Sequence, residues 1–153
     1  MTTPIVESIA DNVYDTVNLV TVANGFNQTL VAYRPKRTDF GDVVPIDGVV
    51  LVKQADPEAL DGPLGLQTWR QPFALMVLVV DSDTASTSID TRLNQVRSDL
   101  EKKFQEDITR GAYAYNTETL PSLFFSDGEG FTGVSVNIAV HYRTLIDDPY
   151  TKG

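Results

Sequence analysis

An uninterrupted apolar run in the middle of the chain, residues 73–80, most strongly limits the folds that this sequence can adopt. Its letters, FALMVLVV, are apolar on both faces of an extended strand, which is typical of a strand in the middle of a sheet. The run is too short to cross a bilayer as a helix. We therefore predict a central strand over 69–80, whose first residues lie at an edge or a bulge because Pro72 cannot donate a ladder hydrogen bond.

Two segments have the apolar spacing of amphipathic helices, one on each side of the predicted central strand. The first is predicted over 4–23, with Thr3 as its N-cap and Pro4 as its first helical residue. It ends before Gly25, which suits a left-handed C-cap. The second begins at the cap residue Thr87. Its core-facing stripe consists of Ile89, Leu93, Val96, Leu100 and Phe104.

The other strands and loops complete a prediction of the fold class. The remaining predicted strands are 29–33, 49–52, 123–125 and 133–143. Two long loops, 35–47 and 56–68, separate the elements and are candidate contact surfaces because loops of that length are unusual in compact domains. Long strands with local connections favour an α+β fold in one domain: a mainly antiparallel sheet of about four strands with two helices packed on one face.

Composition limits the classes of function. A hydrophobic fraction of 42% and a charged fraction of 22% are typical of a globular protein. The net charge of −9 argues against stable DNA or RNA binding, which usually needs a basic patch. The sequence contains no cysteine, which excludes disulfides and thiolate metal sites. Glu7 and Asp11 interrupt the apolar residues near the N-terminus, so we expect no signal peptide and no membrane partner.

Gly128, Gly130 and Gly133 form the sequence pattern G-x-G-x-x-G, which also occurs in nucleotide-binding loops. A dinucleotide fingerprint requires a helix after the glycines, because the helix N-terminus holds the pyrophosphate. An alternating strand follows here instead. We interpret the segment as a glycine-rich turn that leads into the last strand. A small nucleotide- or metal-dependent enzyme using this loop is the alternative of another class.

Other candidate chemical groups are sparse. Asp81 and Asp83 follow the central strand and could hold Mg²⁺ together with Asp127 or Glu129. They are equally consistent with the polar residues that are expected where the chain leaves a buried strand. His141, the single histidine, could act as a general base, yet no nucleophile motif accompanies it. The sequence therefore predicts no enzyme, no cofactor and no catalytic or metal-binding residue, and it favours a surface or interface role for His141.

The order of these features resembles that of the tail terminator, or tail completion, proteins of long-tailed bacteriophages. The resemblance covers nearly the whole chain: a first helix closing at Gly25 and Phe26, the strand QTLVAYRP, the helix SIDTRLNQVRSDLEKKF and the strand GVSVNIAVHYRT running into DDPY. It implies a hexameric ring at the head-proximal end of the tail tube, which ends tube polymerisation and joins the tail to the neck without catalysis.

The same resemblance implies the partners and the location of the protein. The expected partners are further copies of the chain, the tail tube protein and a neck or head-completion protein, while DNA passes through the ring without specific binding. A neck connector or head-completion protein of the same virion is an alternative that fits the layout nearly as well. In each case the protein is assembled in the host cytoplasm and resides in the tail or neck of the virion.

Two groups of side chains are candidates for contacts in such a ring. Glu7, Asp11 and Asp15 recur every four residues on the first helix and are candidates to line the lumen. The interface candidates lie in or beside the two long loops and near strand ends, and they include Trp and Arg, which often anchor interfaces. They are Arg34, Lys36, Arg37, Asp39, Phe40, Leu60, Leu64, Trp69, Arg70, His141, Arg143 and Tyr150.

Overall fold

The computed structural model describes residues 2–34, 47–80, 88–126 and 131–153. Within these ranges, eight strands form a single sheet that is accompanied by two α-helices, α1 (Ile5–Asn18) and α2 (Ile89–Glu106). Neither of these helices has the length and apolar character needed to cross a membrane. The strands are β1 (Val31–Tyr33), β2 (Val49–Gln54), β3 (Glu58–Leu60), β4 (Leu66–Val80), β5 (Asn116–Thr119), β6 (Leu123–Ser126), β7 (Phe131–Leu145) and β8 (Asp148–Lys152).

The predicted fold class, a mainly antiparallel sheet of about four strands, is wrong. The described part of the chain contains eight strands, and the sheet is mixed because β1 and β2 pair in parallel. Strands β3, β5 and β8 lie in segments that sequence patterns assign to loops or irregular structure. Each has three to five residues; those of β3 and β8 are mostly exposed, and those of β5 are all polar, so none shows an apolar alternation of its own. They are strands because the long neighbours offer ladder hydrogen bonds, which a single sequence window does not reveal.

The antiparallel pair of β4 and β7 is the central feature of the sheet. Each strand has 15 residues, and the pair runs in register from Leu66 opposite Leu145 to Val80 opposite Phe131. Shorter strands share the outer edges of this pair: β2 and β3 lie along β4, and β6, β5 and β8 lie along β7. Pro72 lies where β2 gives way to β3, and its carbonyl accepts a hydrogen bond from Ala55 N at 3.0 Å.

The core lies between one face of the sheet and the two described helices. Alternate residues of β4 and their partners in β7 are fully buried on this face. The main contributors are Phe73, Leu75, Val77, Val79, Val134, Val136, Ile138 and Val140 from the sheet, with Ile9, Val13 and Val17 from α1 and Leu93, Val96, Leu100 and Phe104 from α2. We call the opposite face, which α1 and α2 do not cover, the open face.

The helix ends differ from the predicted ones. Helix α1 ends at Asn18, and Gly25, with φ of 91°, closes a separate 3-10 turn that follows it. The N-cap of α1 is Pro4 rather than Thr3, and it provides no side-chain hydrogen bond. The N-cap of α2 is Ser88, whose side chain accepts from Thr91 N, whereas the predicted cap Thr87 lies outside the described residues.

Candidate interaction surfaces on the open face

The open face is apolar at the end where β2, with β1 beyond it, and β6 flank the central pair. One row across five strands consists of Tyr33, Leu51, Met76, Ser135 and Leu123. The adjoining row consists of Leu78, Gly133 and Phe125, and the paired residues Val31 and Val49 of β1 and β2 lie beside it. The apolar residues of these two rows, together with Val31 and Val49, form what we call the apolar end. Its margins are accessible to solvent, since Leu123 is 66% exposed and Val31 is 58% exposed.

Gly133, the third glycine of the G-x-G-x-x-G pattern, lies within the apolar end. A Cβ atom built on Gly133 would lie 2.2 Å from the backbone oxygen of Val77 and 2.4 Å from the ring of Phe125. This glycine therefore allows the ring of Phe125 to pack closely over β7. Gly128 and Gly130 lie outside the described residues, as do Asp81, Asp83, Asp127 and Glu129 of the predicted alternative metal site.

A charged cluster follows the apolar end along the open face. Arg70 of β4 lies opposite His141 of β7, and both contact the carboxylate of Glu118 from β5. His141 Nε2 is 2.9 Å from Glu118 Oε2, and Arg70 Nε is 3.4 Å from the same oxygen. Arg70 Nη1 also lies 3.5 Å from Glu58 Oε2 of β3. Strand register thus brings together two of the predicted interface residues, Arg70 and His141, with two carboxylates that sequence reasoning missed.

Arg143, a third predicted interface residue, borders this cluster. Its guanidinium lies 4.3 Å from the ring centre of Tyr115, and its Nε donates to Thr68 Oγ1 at 3.4 Å. The Tyr115 ring in turn lies 5.9 Å from the imidazole of His141. The alternation of β7 places His141 and Arg143 on one face, which the sequence predicts, but the position of Tyr115 depends on the pairing of β5 with β7.

The contacts of Glu118 affect its protonation. The hydrogen bond from His141 and the charge of Arg70 hold the pKa of Glu118 below its ordinary value of 4.5. Because the carboxylate is favoured in the folded state, the stabilisation is fully present above that ordinary value. It is lost as the pH falls through the lower pKa of the folded state. The side chain of Glu118 is 42% exposed, so solvent screening limits the effect to about half a kcal/mol.

The variant Glu118→Gln is expected to flatten this part of the pH dependence of stability. Urea unfolding at several pH values from about 7 down to about 3 should show a smaller loss of unfolding free energy on acidification than in the wild type. The same substitution made in a His141→Leu background serves as the control, because leucine donates no hydrogen bond and the main cause of the shift is then already absent. An identical acid slope in the wild type and in Glu118→Gln would contradict the assignment.

A second apolar surface lies at the other end of the central pair. The turn before β4 and the turn between β7 and β8 lie side by side, and Ile146 N donates to Gly65 O at 3.1 Å. Gly65 has φ of 80°, a conformation that favours glycine. Leu64 is fully exposed, Ile146 is 66% exposed and Leu145 is also exposed. We call these three residues the tip. Leu64 is one of the predicted interface residues. Leu145 and Ile146, which precede the acidic turn, are not among the predicted interface residues.

The remaining predicted interface residues are dispersed. Trp69 lies on the helix-covered face opposite Tyr142 and packs against the core, so it does not share a surface with Arg70. Leu60 is partly exposed in β3, and Tyr150 is exposed in β8. The candidates outside the described residues are Lys36, Arg37, Asp39 and Phe40.

The predicted acidic row of α1 is partly neutralised. Arg34 Nη1 lies 2.8 Å from Glu7 and 3.4 Å from Asp11. The hydrogen bond to Glu7 raises the pKa of the Arg34 guanidinium, so this cation stays charged. Asp15 is exposed one turn further along the helix. The row therefore combines Asp15 with two carboxylates that are paired with a cation following β1, of which Asp11 is still 63% exposed.

The described residues contain no group of three or more His, Cys, Asp and Glu side chains placed to hold a metal ion. Comparison with models of protein families finds no match to this chain. A search of curated proteins likewise finds no significant match. The surface features described so far are the apolar end, the tip and the charged cluster that lies between them.

Proposed function

We propose that this chain is a structural virion assembly protein of a long-tailed bacteriophage. In this proposal it forms a hexameric ring at the head-proximal end of the tail tube, ends tube polymerisation and joins the tail to the neck. The single observation that carries the proposal is the apolar end of the open face. The exposed side of an antiparallel sheet is normally polar. An apolar area whose side chains come from four strands, on either side of Gly133 and Ser135 of β7, and which is exposed at its margins favours contact with another protein.

The position of the tip supports self-association into a ring. Met76 of the apolar end and Leu66 beside the tip are ten residues apart in β4 (76 minus 66), about 33 Å in an extended strand. Two different apolar surfaces at opposite ends of one long strand pair suit contacts from one surface of a copy to the other surface of the next. Such heterologous contacts close into a ring when the rotation between copies allows it.

The charge of the chain agrees with passage of DNA through the lumen of the proposed ring. Each copy carries a net charge of −9, which repels the phosphate backbone and disfavours retention of DNA. Of the predicted lumen residues, Asp15 is the best candidate because Arg34 holds Glu7 and Asp11. The proposed partners are the tail tube protein on one side of the ring and a neck or head-completion protein on the other.

Native mass spectrometry of the purified chain over a concentration series, with and without Mg-ATP, tests this proposal. We expect a species of six subunits with no nucleotide adduct, and ring-shaped particles with a central opening in electron micrographs. A chain that stays monomeric up to about millimolar concentration, the range of the weakest specific contacts, would overturn the proposal. A monomer with one bound nucleotide would instead favour the enzyme alternative.

A further inference from the structure

A small cavity lies at the outer edge of β7, where one short partner strand gives way to another. The pairing of β5 with β7 reaches His141, and the pairing of β8 with β7 begins at Thr144. Tyr115 N donates to His141 O at 2.9 Å, and Gly153 N donates to Arg143 O at 3.0 Å, so the segments on both sides are fixed to β7. The cavity has a volume of about 130 Å³. The residues that line it are Tyr113, Ala114, Tyr115, Arg143, Lys152 and Gly153.

The two cationic residues of this cavity have no carboxylate partner within the described part of the chain. Neither Arg143 nor Lys152 forms an ion pair with a carboxylate of the described residues. The chain has 21 acidic and 12 basic residues, so a cation without such a partner is unexpected. Among the other described arginines, only Arg110 has no ion pair, and its guanidinium donates to carbonyls. The arginines that pair with carboxylates are Arg34, Arg70, Arg92 and Arg97.

Arg143 is held in position by contacts that leave its outer nitrogens unused. Its Nε donates to Thr68 Oγ1 at 3.4 Å, and its guanidinium lies 4.3 Å from the ring centre of Tyr115. The two Nη groups have no hydrogen-bond partner among the described residues. A guanidinium that is already fixed loses little freedom when it forms the two parallel hydrogen bonds that match a carboxylate.

We propose that this cavity binds the carboxylate of an Asp or Glu side chain in a peptide segment of a partner protein. The cavity volume far exceeds the about 15 Å³ that one water needs, but it is below the about 300 Å³ of pockets for drug-sized ligands. It therefore has room for one functional group and not for a nucleotide. The rings of Tyr113 and Tyr115 are 40% and 42% exposed, so a side chain can enter from solvent. The inference concerns a single copy and does not depend on ring formation.

The lining favours a carboxylate on a short aliphatic stem over a phosphate. The two tyrosine rings and the methyl group of Ala114 suit the apolar stem, while Arg143 and Lys152 suit the charge. Phosphate groups are commonly held by helix N-termini and by nests of backbone N–H groups. None of the residues that line the cavity belongs to a helix.

An NMR titration of the full chain with a blocked glutamate, N-acetylglutamate N-methylamide, tests the inference. The backbone amide signals of Tyr115 and Arg143 are expected to shift until saturation, with a Kd of about 1 to 10 mM, as suits a single small group. The blocked glutamine of the same shape is the control ligand and should give no saturable shift, because it carries no charge. Inorganic phosphate at the same ionic strength is titrated in parallel. Saturation by phosphate alone, or equal shifts with the glutamate and glutamine ligands, would overturn the inference.

A matched pair of substitutions tests whether the cavity is the binding site. Arg143→Gln is expected to weaken binding of the blocked glutamate at least about tenfold, because it removes both the charge and the fork of donors. Lys102→Gln also removes one positive charge, but Lys102 lies over the ring of Phe26 on α2, outside the cavity, and should leave the affinity unchanged. Unchanged affinity in a folded Arg143→Gln would overturn the inference. If Arg143→Gln does not fold, Lys152→Gln at an exposed position replaces it, with an expected weakening of about threefold, and an unchanged affinity there would likewise overturn the inference.

Discussion

Replacing Arg110 by methionine is expected to lower the free energy of unfolding by about 3 kcal/mol or more. The Arg110 side chain is 1% exposed and connects the end of α2 to α1. Its Nη2 donates to the carbonyls of Phe104, at 2.7 Å, and Asp107, which belong to the C-terminal end of α2. Its Nη1 donates to Thr16 Oγ1 at 3.2 Å and to Asn12 Oδ1 at 3.3 Å on α1.

The physical reason for this large effect is the loss of partners for buried acceptors. The last carbonyls of a helix have no partner within the helix, and a cation at that end also interacts favourably with the helix dipole. In the wild type, the guanidinium carbon of Arg110 lies 4.8 Å from the centre of the Phe104 ring. Methionine has a similar volume and can pack on this ring, but it donates no hydrogen bond. The oxygens of Phe104 and Thr16 would then be buried without these donors.

Urea unfolding followed by circular dichroism measures this effect, and Arg97→Met is its matched control. Arg97 lies within α2, but its side chain is 39% exposed and its ion pair with Glu101 spans 3.8 Å. A loss of no more than about 0.5 kcal/mol is expected there. Arg110→Lys should be nearly as destabilising as Arg110→Met, because one ammonium cannot replace the fork geometry of the guanidinium. Equal stability of Arg110→Met and Arg97→Met would contradict the proposed role.

Gly133→Ala is expected to destabilise the fold by about 2 kcal/mol, since it places a Cβ atom within 2.4 Å of two neighbours. One neighbour, the oxygen of Val77, belongs to the backbone of β4 and can move only if the central strand pair shifts. The other, the ring of Phe125, belongs to β6 at the edge. The added methyl group should therefore disturb the pairing of β6 with β7, and fluorescence-detected urea unfolding should show the loss.

A double substitution separates the two contacts of Gly133. In a Phe125→Ala background the ring contact is absent, so Gly133→Ala should cost less than in the wild type, with the contact to Val77 still present. A fully unchanged cost would show that the contact with Phe125 is unimportant. If Gly133→Ala left stability unchanged in both backgrounds, the close-packing role would be wrong, and a ligand-binding role for the glycine segment would regain support.

Several features of the fold follow from local patterns in the sequence. The apolar run at 73–80 identifies β4 as a buried strand because residues on both of its faces avoid water, and β4 extends over Leu66–Val80. The apolar stripe from Leu93 to Phe104 identifies the buried side of α2 because a helix repeats every 3.6 residues. Alternation along β7 likewise places His141 and Arg143 on one face.

The pairing of distant segments is what the tertiary structure adds. Arg110 contacts Asn12 across 98 residues of sequence, and no local pattern marks it as buried. Glu118 reaches Arg70 and His141 only because β5 and β4 lie on either side of β7. The apolar end arises in the same way, since β1, β2, β4 and β6 each contribute only two of its apolar side chains. Local periodicity determines which face of a strand is buried, but the strand partners and their register depend on long-range contacts, and these assemble the surfaces proposed for function.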